Sequence, residues 1–288
     1  MKKNKGKKQS AKALYLVLSV YRLWFKVYFQ LSSPKAIAAA FRLFATPRAK
    51  LREKERMVLS GAEKHVIEFE GKKIATYRWG KSDMRILCIH GWEGNGGNFG
   101  AFIDRFLPLG YEIISYDAPA HNQSTGRTTN LFQFARLAAS MMEKEKPIAV
   151  IGHSFGSASA ILAQTRFTEY RVPRIAMLSA PDKLLNVVND FSNLMRFSDT
   201  MHQVFIAYME KRFKVNLEDV RVSAVIHECN SEMLLIHDRY DKVIPFSYAE
   251  NVVAHNSKIN LIAIKQVGHY RMLWNKEVVD RVEVFLKE

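Results

Sequence analysis

Six short apolar runs, RILCIHG, YEIISYD, PIAVIGHS, RIAMLSAP, EMLLIHD and INLIAI, recur along the chain, with helix-length segments such as 98–109, 130–145 and 155–169 between several of them. Runs of this length, bounded by polar residues, Gly or Pro, suit strands buried on both faces of a parallel sheet. Strand and helix in alternation predict an α/β fold, a doubly wound and mostly parallel sheet. Just upstream, VIEFEGKKIATYRW reads as a hairpin turning at Glu70-Gly71, with β-branched and aromatic residues on both arms. No repeat or low-complexity linker divides this region. Residues 57–288 therefore read as one domain with a single helical insertion at about 182–230, preceded by a helical extension over residues 1–56.

Charge separates these two parts. The chain of 288 residues carries 43 Lys and Arg against 28 Asp and Glu, a formal net charge of +15. Residues 1–56 hold 15 basic and 2 acidic residues, leaving 28 and 26 in the rest. The basicity thus belongs to the extension, and a basic body built for nucleic acid is not supported. The two cysteines, Cys88 and Cys229, lie far apart with no metal-ligand spacing, which predicts buried free thiols and points to the cytoplasm.

Within the extension, Lys2, Lys3, Lys5, Lys7, Lys8 and Lys12 form a self-repelling arm expected to be disordered. The stretch ALYLVLSVYRLWFKVYFQL follows, over residues 13–31. Arg22 and Lys26 argue against a membrane span, which needs about 20 predominantly apolar residues. Those charges and Lys35 also precede any small-residue site, so cleavage as a secretory signal is not expected. On a helix, Lys12, Ser19, Arg22, Lys26 and Gln30 fall in one stripe roughly 80° wide, and all other positions are apolar. Such a helix has to hide most of its circumference. Residues 1–31 are a candidate for peripheral contact with the inner face of a membrane; docking on the main domain or self-association are the alternatives. After Pro34 a second amphipathic stretch, KAIAAAFRLFA, ends near Thr46-Pro47.

The chemistry-bearing pattern is Gly152-His153-Ser154-Phe155-Gly156, a G-x-S-x-G motif that closes an apolar strand and opens a small-residue helix. A serine in a strained strand-to-helix turn leaves no room for side chains two residues away, so glycine flanks it on both sides. A serine hydroxyl needs a base, itself oriented by a carboxylate. His269 follows the last apolar run, and Asp241 follows EMLLIHD. The order Ser154, Asp241, His269 matches the Ser…Asp…His order of such sites. Asp238 is a second carboxylate candidate.

On these motifs the chain resembles the α/β-hydrolase superfamily over most of residues 65–288, and the resemblance favours Asp241 over Asp238 because Val243-Ile244-Pro245 follows it in the family's manner. The resemblance implies that His90-Gly91-Trp92 is the oxyanion loop, with the backbone N–H groups of Trp92 and Phe155 receiving the oxyanion, and His90, Gly91, Gly152 and Gly156 supporting loop and elbow. Asp117-Ala118-Pro119-Ala120-His121-Asn122-Gln123-Ser124 resembles the family's D-x-P-G-x-G-x-S segment. Ala120 and Asn122 replace its glycines, so the loop is expected to avoid a positive φ at Ala120. The insertion would be a helical cap, and its Leu, Met and Phe residues would suit a hydrophobic substrate or hold the cap in place; Met195 and Met201 are weak pocket candidates.

Gly94-Asn95-Gly96-Gly97 lacks the lysine and spacing of a phosphate cradle and reads as a flexible loop. His65, His202, His227 and His255 show no metal-ligand spacing, and His153 has no assigned role. The expected activity is a serine hydrolase that cleaves a small-molecule carboxylic ester or thioester of a hydrophobic acyl substrate through an acyl-enzyme intermediate, with no metal or organic cofactor. A C–C bond hydrolase, a non-catalytic ligand-binding scaffold and a membrane-docking module that carries a hydrolase are the competing readings.

Overall fold

The computed structural model describes residues 2–256 and 258–287, with side chains from residue 15 onward. The chain forms two compact units, one of residues 1–45 and 183–220, the other of 46–182 and 221–288. Their helices, in chain order, are α1 (Lys2–Leu31), α2 (Ser33–Phe44), α3 (Glu53–Ser60), α4 (Gly100–Phe106), α5 (Leu131–Glu145), α6 (Phe155–Arg166), α7 (Leu184–Met195), α8 (Asp199–Phe213), α9 (Val222–Val225), α10 (Phe246–Ala254) and α11 (Lys276–Lys287).

The larger unit is built on an eight-stranded sheet of β1 (Glu63–Phe69), β2 (Lys72–Trp79), β3 (Arg85–Ile89), β4 (Glu112–Tyr116), β5 (Ala149–His153), β6 (Arg174–Leu178), β7 (Glu232–Asp238) and β8 (Ile259–Ile264). Their order is β1-β2-β4-β3-β5-β6-β7-β8. The pairs β1–β2 and β2–β4 are antiparallel and all others parallel, which is the expected fold class. The first hairpin turns where expected: Glu70 and Gly71 both take positive φ, 48° and 68°, the twist a two-residue hairpin requires. Strands β4 and β5 are buried along their whole length, and β3 and β6 except at their first residue, which explains their continuous apolar runs.

Two boundaries differ from the linear reading. Helix α3, which the expected boundary between residues 56 and 57 would divide, belongs whole to the sheet unit: Glu55 is buried and accepts hydrogen bonds from the Asn95 and Asn98 side-chain amides at 3.0 and 2.8 Å. The excursion into the smaller unit covers 183–220 rather than 182–230. Its return is closed within the sheet unit, where the Val222 and Ser223 amides donate to the Asp182 carbonyl and Oδ1 at 2.9 and 2.8 Å.

The smaller unit joins segments remote in sequence. Pro34 sits in the first turn of α2, where its missing N–H costs nothing. Phe41 of α2 packs on Tyr208 and Phe213 of α8, and Phe44 lies 5.1 Å from Phe191 and 6.0 Å from Phe205, ring to ring. Phe25 of α1, 1% exposed, lies edge-on to Phe197 at 5.4 Å. The Arg22 guanidinium donates twice to the Leu194 carbonyl, at 3.0 and 2.8 Å. The extension therefore docks on the insertion. Met195 and Met201 are both 2% exposed. The backbone is helical from Lys2, where a disordered arm was expected, consistent with the good helix propensity of Lys, Ala and Gln. The side chains of the six arm lysines lie outside the described residues. Among the described residues no helix is long and apolar enough to cross a membrane.

Candidate active site

Ser154 stands between β5 and α6 with φ 52° and ψ −120°, a conformation that L-residues adopt only under strain. Its amide donates to the Leu178 carbonyl at 2.8 Å, tying the turn to β6. The flanking glycines are required by space. A Cβ on Gly156 would lie 2.1 Å from the Ile89 carbonyl oxygen, and one on Gly152 would lie 2.7 Å from the Ser157 Cα. A third glycine closes the site from the other side: a Cβ on Gly91 would lie 3.0 Å from both the Ser154 Cβ and the His153 carbonyl oxygen.

Asp241 and His269 come together across loops after β7 and β8. Asp241 Oδ2 lies 2.8 Å from His269 Nδ1 and accepts from the Ser179 hydroxyl at 2.9 Å; Oδ1 accepts from the amides of Val243 and Ile244 at 2.8 and 3.0 Å. Burial pushes this carboxyl up, but the His269 bond and charge together with the two amides outweigh it and hold it below the ordinary carboxylate range. An anionic Asp241 fixes the His269 proton on Nδ1 and leaves Nε2 as the basic nitrogen.

Asp238 does not reach His269. Its carboxylate accepts from the amides of Tyr240 at 2.8 Å, Gln266 at 3.2 Å and Gly268. It pins the loop that carries the histidine. His153, given no role from sequence, does similar work: its Nε2 lies 3.0 Å from the His269 carbonyl oxygen, within hydrogen-bond reach as a donor. Burial, then the nearby His269, pushes the His153 imidazole down to about 3, so it stays neutral.

His90 orients the Gly91-Trp92 peptide. Its Nε2 accepts from the Ala118 amide at 2.9 Å, so Nδ1 carries the proton and donates to the Gly91 carbonyl at 2.7 Å. In a trans peptide the N–H points opposite to the C=O, so this bond turns the Trp92 amide away from His90. Burial pushes His90 down to about 4. The Trp92 and Phe155 rings lie 5.7 Å apart, so the two amide-bearing residues are neighbours. Among the described residues neither amide finds an acceptor within the protein.

Two expectations about neighbouring loops are corrected. Ala120 has φ 66° and Asn122 φ 40°, so both take the left-handed region that their family's glycines favour. The loop is held there by Asp117, whose carboxylate accepts from Gly96, Tyr77, Asn122 and Gln123, and by the Ala120 amide bonding Thr125 at 3.1 Å. The Gly94–Gly97 segment is not a flexible loop. Asn95 caps a buried 3₁₀ turn, its side chain accepting from the Gly97 amide at 2.9 Å, and the Gly96 amide donates to Asp117.

Beside the oxyanion-type loop, a cavity of about 540 Å3 is walled by Gly91, Trp92, His153, Tyr270 and Trp274. Lys50, Arg52, Lys54 and Arg271 line it against Glu55 and Glu93. Glu55 is already taken by Asn95, Asn98 and the Arg52 amide. Ser154, Phe155 and His269 are not part of this lining. Among the described residues no group of three or more His, Cys, Asp and Glu side chains could hold a metal ion. Cys88 and Cys229 are both buried free thiols.

A family profile described as alpha/beta hydrolase fold matches residues 85–209. The sheet order, the positive-φ serine turn after β5 and this match agree. The chain is an α/β-hydrolase in fold. A curated relative, the Serine hydrolase-like protein of Danio rerio, is 30% identical over 125 residues, covering 41% of this chain and 38% of the relative. The chain thus spans well under half of that relative's length. Among solved structures, the Pyrococcus furiosus esterase Pf2001 superposes with a TM-score of 0.61 at 19% identity, over 84% of this chain and 96% of the esterase. A bacterial membrane phospholipase A superposes with a TM-score of 0.60 at 17% identity, over 97% and 98% of the two chains.

Proposed function

We propose that this α/β-hydrolase chain is a serine hydrolase that cleaves a carboxylic ester or thioester through an acyl-enzyme. The observation that carries the reading is the Asp241–His269 bond, with the His269 ring 4.8 Å from that of His153, the residue that precedes the strained Ser154. Ser154 Oγ attacks the carbonyl carbon while His269 Nε2 takes its proton. The Trp92 and Phe155 amides receive the oxyanion, each such donor contributing roughly 3–4 kcal/mol to the transition state. On collapse, Nε2 returns the proton to the departing alcohol or thiol as the C–O or C–S bond breaks. Water then attacks the acyl-serine by the same route in reverse, releasing the acid and restoring Ser154.

Fluorophosphonate labelling of the native protein and of Ser154→Ala tests the nucleophile. Labelling confined to the native protein, with p-nitrophenyl ester hydrolysis lost in both Ser154→Ala and His269→Ala, is the expected result. Labelling retained in Ser154→Ala, or hydrolysis retained in either variant, overturns the proposal.

A further inference from the structure

Helix α1 turns an unexpected side inward. In the described part of the helix, Phe25 is buried, Leu18, Arg22 and Phe29 are half-buried, and Arg22 is bound to the Leu194 carbonyl. At about 100° per residue, the opposite face carries Leu16, Val17, Val20, Leu23, Trp24, Val27 and Leu31 in a stripe about 120° wide. All seven are exposed, Leu16 at 66%, Val20 at 62%, Leu23 at 64% and Leu31 at 78%. Gln30, also exposed, borders the stripe. At 1.5 Å per residue the stripe is roughly 23 Å long. One polar side chain of the helix is thus spent on the protein, while an uninterrupted apolar face is left to the outside. A contiguous apolar face of this extent marks an interaction surface rather than scattered surface residues.

Charge identifies the partner. Residues 1–52 contain 13 Lys and Arg and no Asp or Glu, and six of those lysines lie within residues 2–12 of the same helix. Two copies meeting through this face would bring like charges together. An anionic lipid surface satisfies both features at once, taking the apolar stripe among its acyl chains and the lysines at its headgroups. We propose that α1 docks the chain on an anionic bilayer, lying in the plane of the interface with the Leu16–Leu31 stripe inserted. This rests on the smaller unit alone and is independent of the hydrolase reading.

The test is co-sedimentation of the full chain with vesicles of phosphatidylcholine alone and with about a third phosphatidylserine. Strong binding to the anionic vesicles is expected, weakened at least about tenfold on neutral ones and by added salt. The double variant Leu23→Glu/Val27→Glu should lose at least about tenfold in apparent affinity while its melting temperature stays native, since both side chains are exposed. Leu16→Glu/Val20→Glu supplies a second, independent pair. Native protein that stays in the supernatant, or glutamate variants that sediment as well as the native chain, overturns the proposal. So does a native dimer in light scattering that the variants convert to monomer, because a second copy would then be the occupant.

Discussion

The two units bury different chemistry. Around Ser154 the sheet unit encloses Asp117, Asp238, Asp241, His90, His121 and His153, and each is bonded to backbone amides or carbonyls at defined distances. The helical unit is joined mainly by rings, with Phe25, Phe44, Phe191, Phe197 and Phe205 meeting at ring-centre distances of 5.1–6.0 Å and Phe41 packed on Tyr208. Ring packing is weakly directional, whereas a buried hydrogen bond tolerates little displacement. A site that must hold reacting atoms in register is therefore built from the first kind of interior. A unit that only has to present a surface can rest on the second.

The comparison is broken most severely at Asp241. Asp241→Asn should cut kcat by about 10⁴-fold by favouring the wrong His269 tautomer, whereas Asp238→Asn should cost nearer tenfold to a hundredfold through a loosened loop. Steady-state kinetics of the two variants on one ester decide it, and a larger loss for Asp238→Asn would reverse their roles. In the helical unit, Phe205→Ala should cost about 3–5 kcal/mol in urea unfolding, because a fully buried ring leaves a cavity. A cost under about 1 kcal/mol would show that the rings do not hold this unit.

Acid should act on the polar interior. His90, His121 and His153 are pushed down to about 4, 3 and 3, each chiefly by burial. Below the unfolded histidine value of about 6.5 the unfolded chain takes up protons that the folded chain refuses. Stability is therefore full above about pH 7.5 and falls by about 3 kcal/mol between pH 6.5 and 5.5. Urea midpoints across that range measure it; a flat profile would mean that these imidazoles protonate in place. The smallest effect is expected at Ala120→Gly, which should stabilise by about 1 kcal/mol in the same assay by relieving the left-handed φ. Destabilisation there would show that the loop is not strained.

The elbow was legible because its requirement is local: Gly152 and Gly156 are demanded by backbone within a few residues and by the adjoining strand. The strands and the Glu70-Gly71 turn were legible for the same reason, since burial on two faces and a positive-φ pair leave marks in composition. Asp117 was recognisable as a support, but its four donors come from three separate segments and no spacing announces them. His153 left no signal at all, because its partner is a main-chain oxygen on a loop more than a hundred residues away.

Local pattern thus settled the alternation of strands and helices, the strained serine and the presence of carboxylate and imidazole after their strands. Tertiary structure chose Asp241 over Asp238 as the partner of His269, since the two lie three residues apart and differ only in which way long-range hydrogen bonds turn them. It also drew Ala120 into a conformation its side chain resists, because Asp117 and Thr125 hold the loop on both sides. Lastly, it set α1 with Phe25 inward and the Leu16–Leu31 stripe outward. A helix that is apolar around most of its circumference carries several faces able to pack, and only the rings and the Leu194 carbonyl contributed by the insertion select among them.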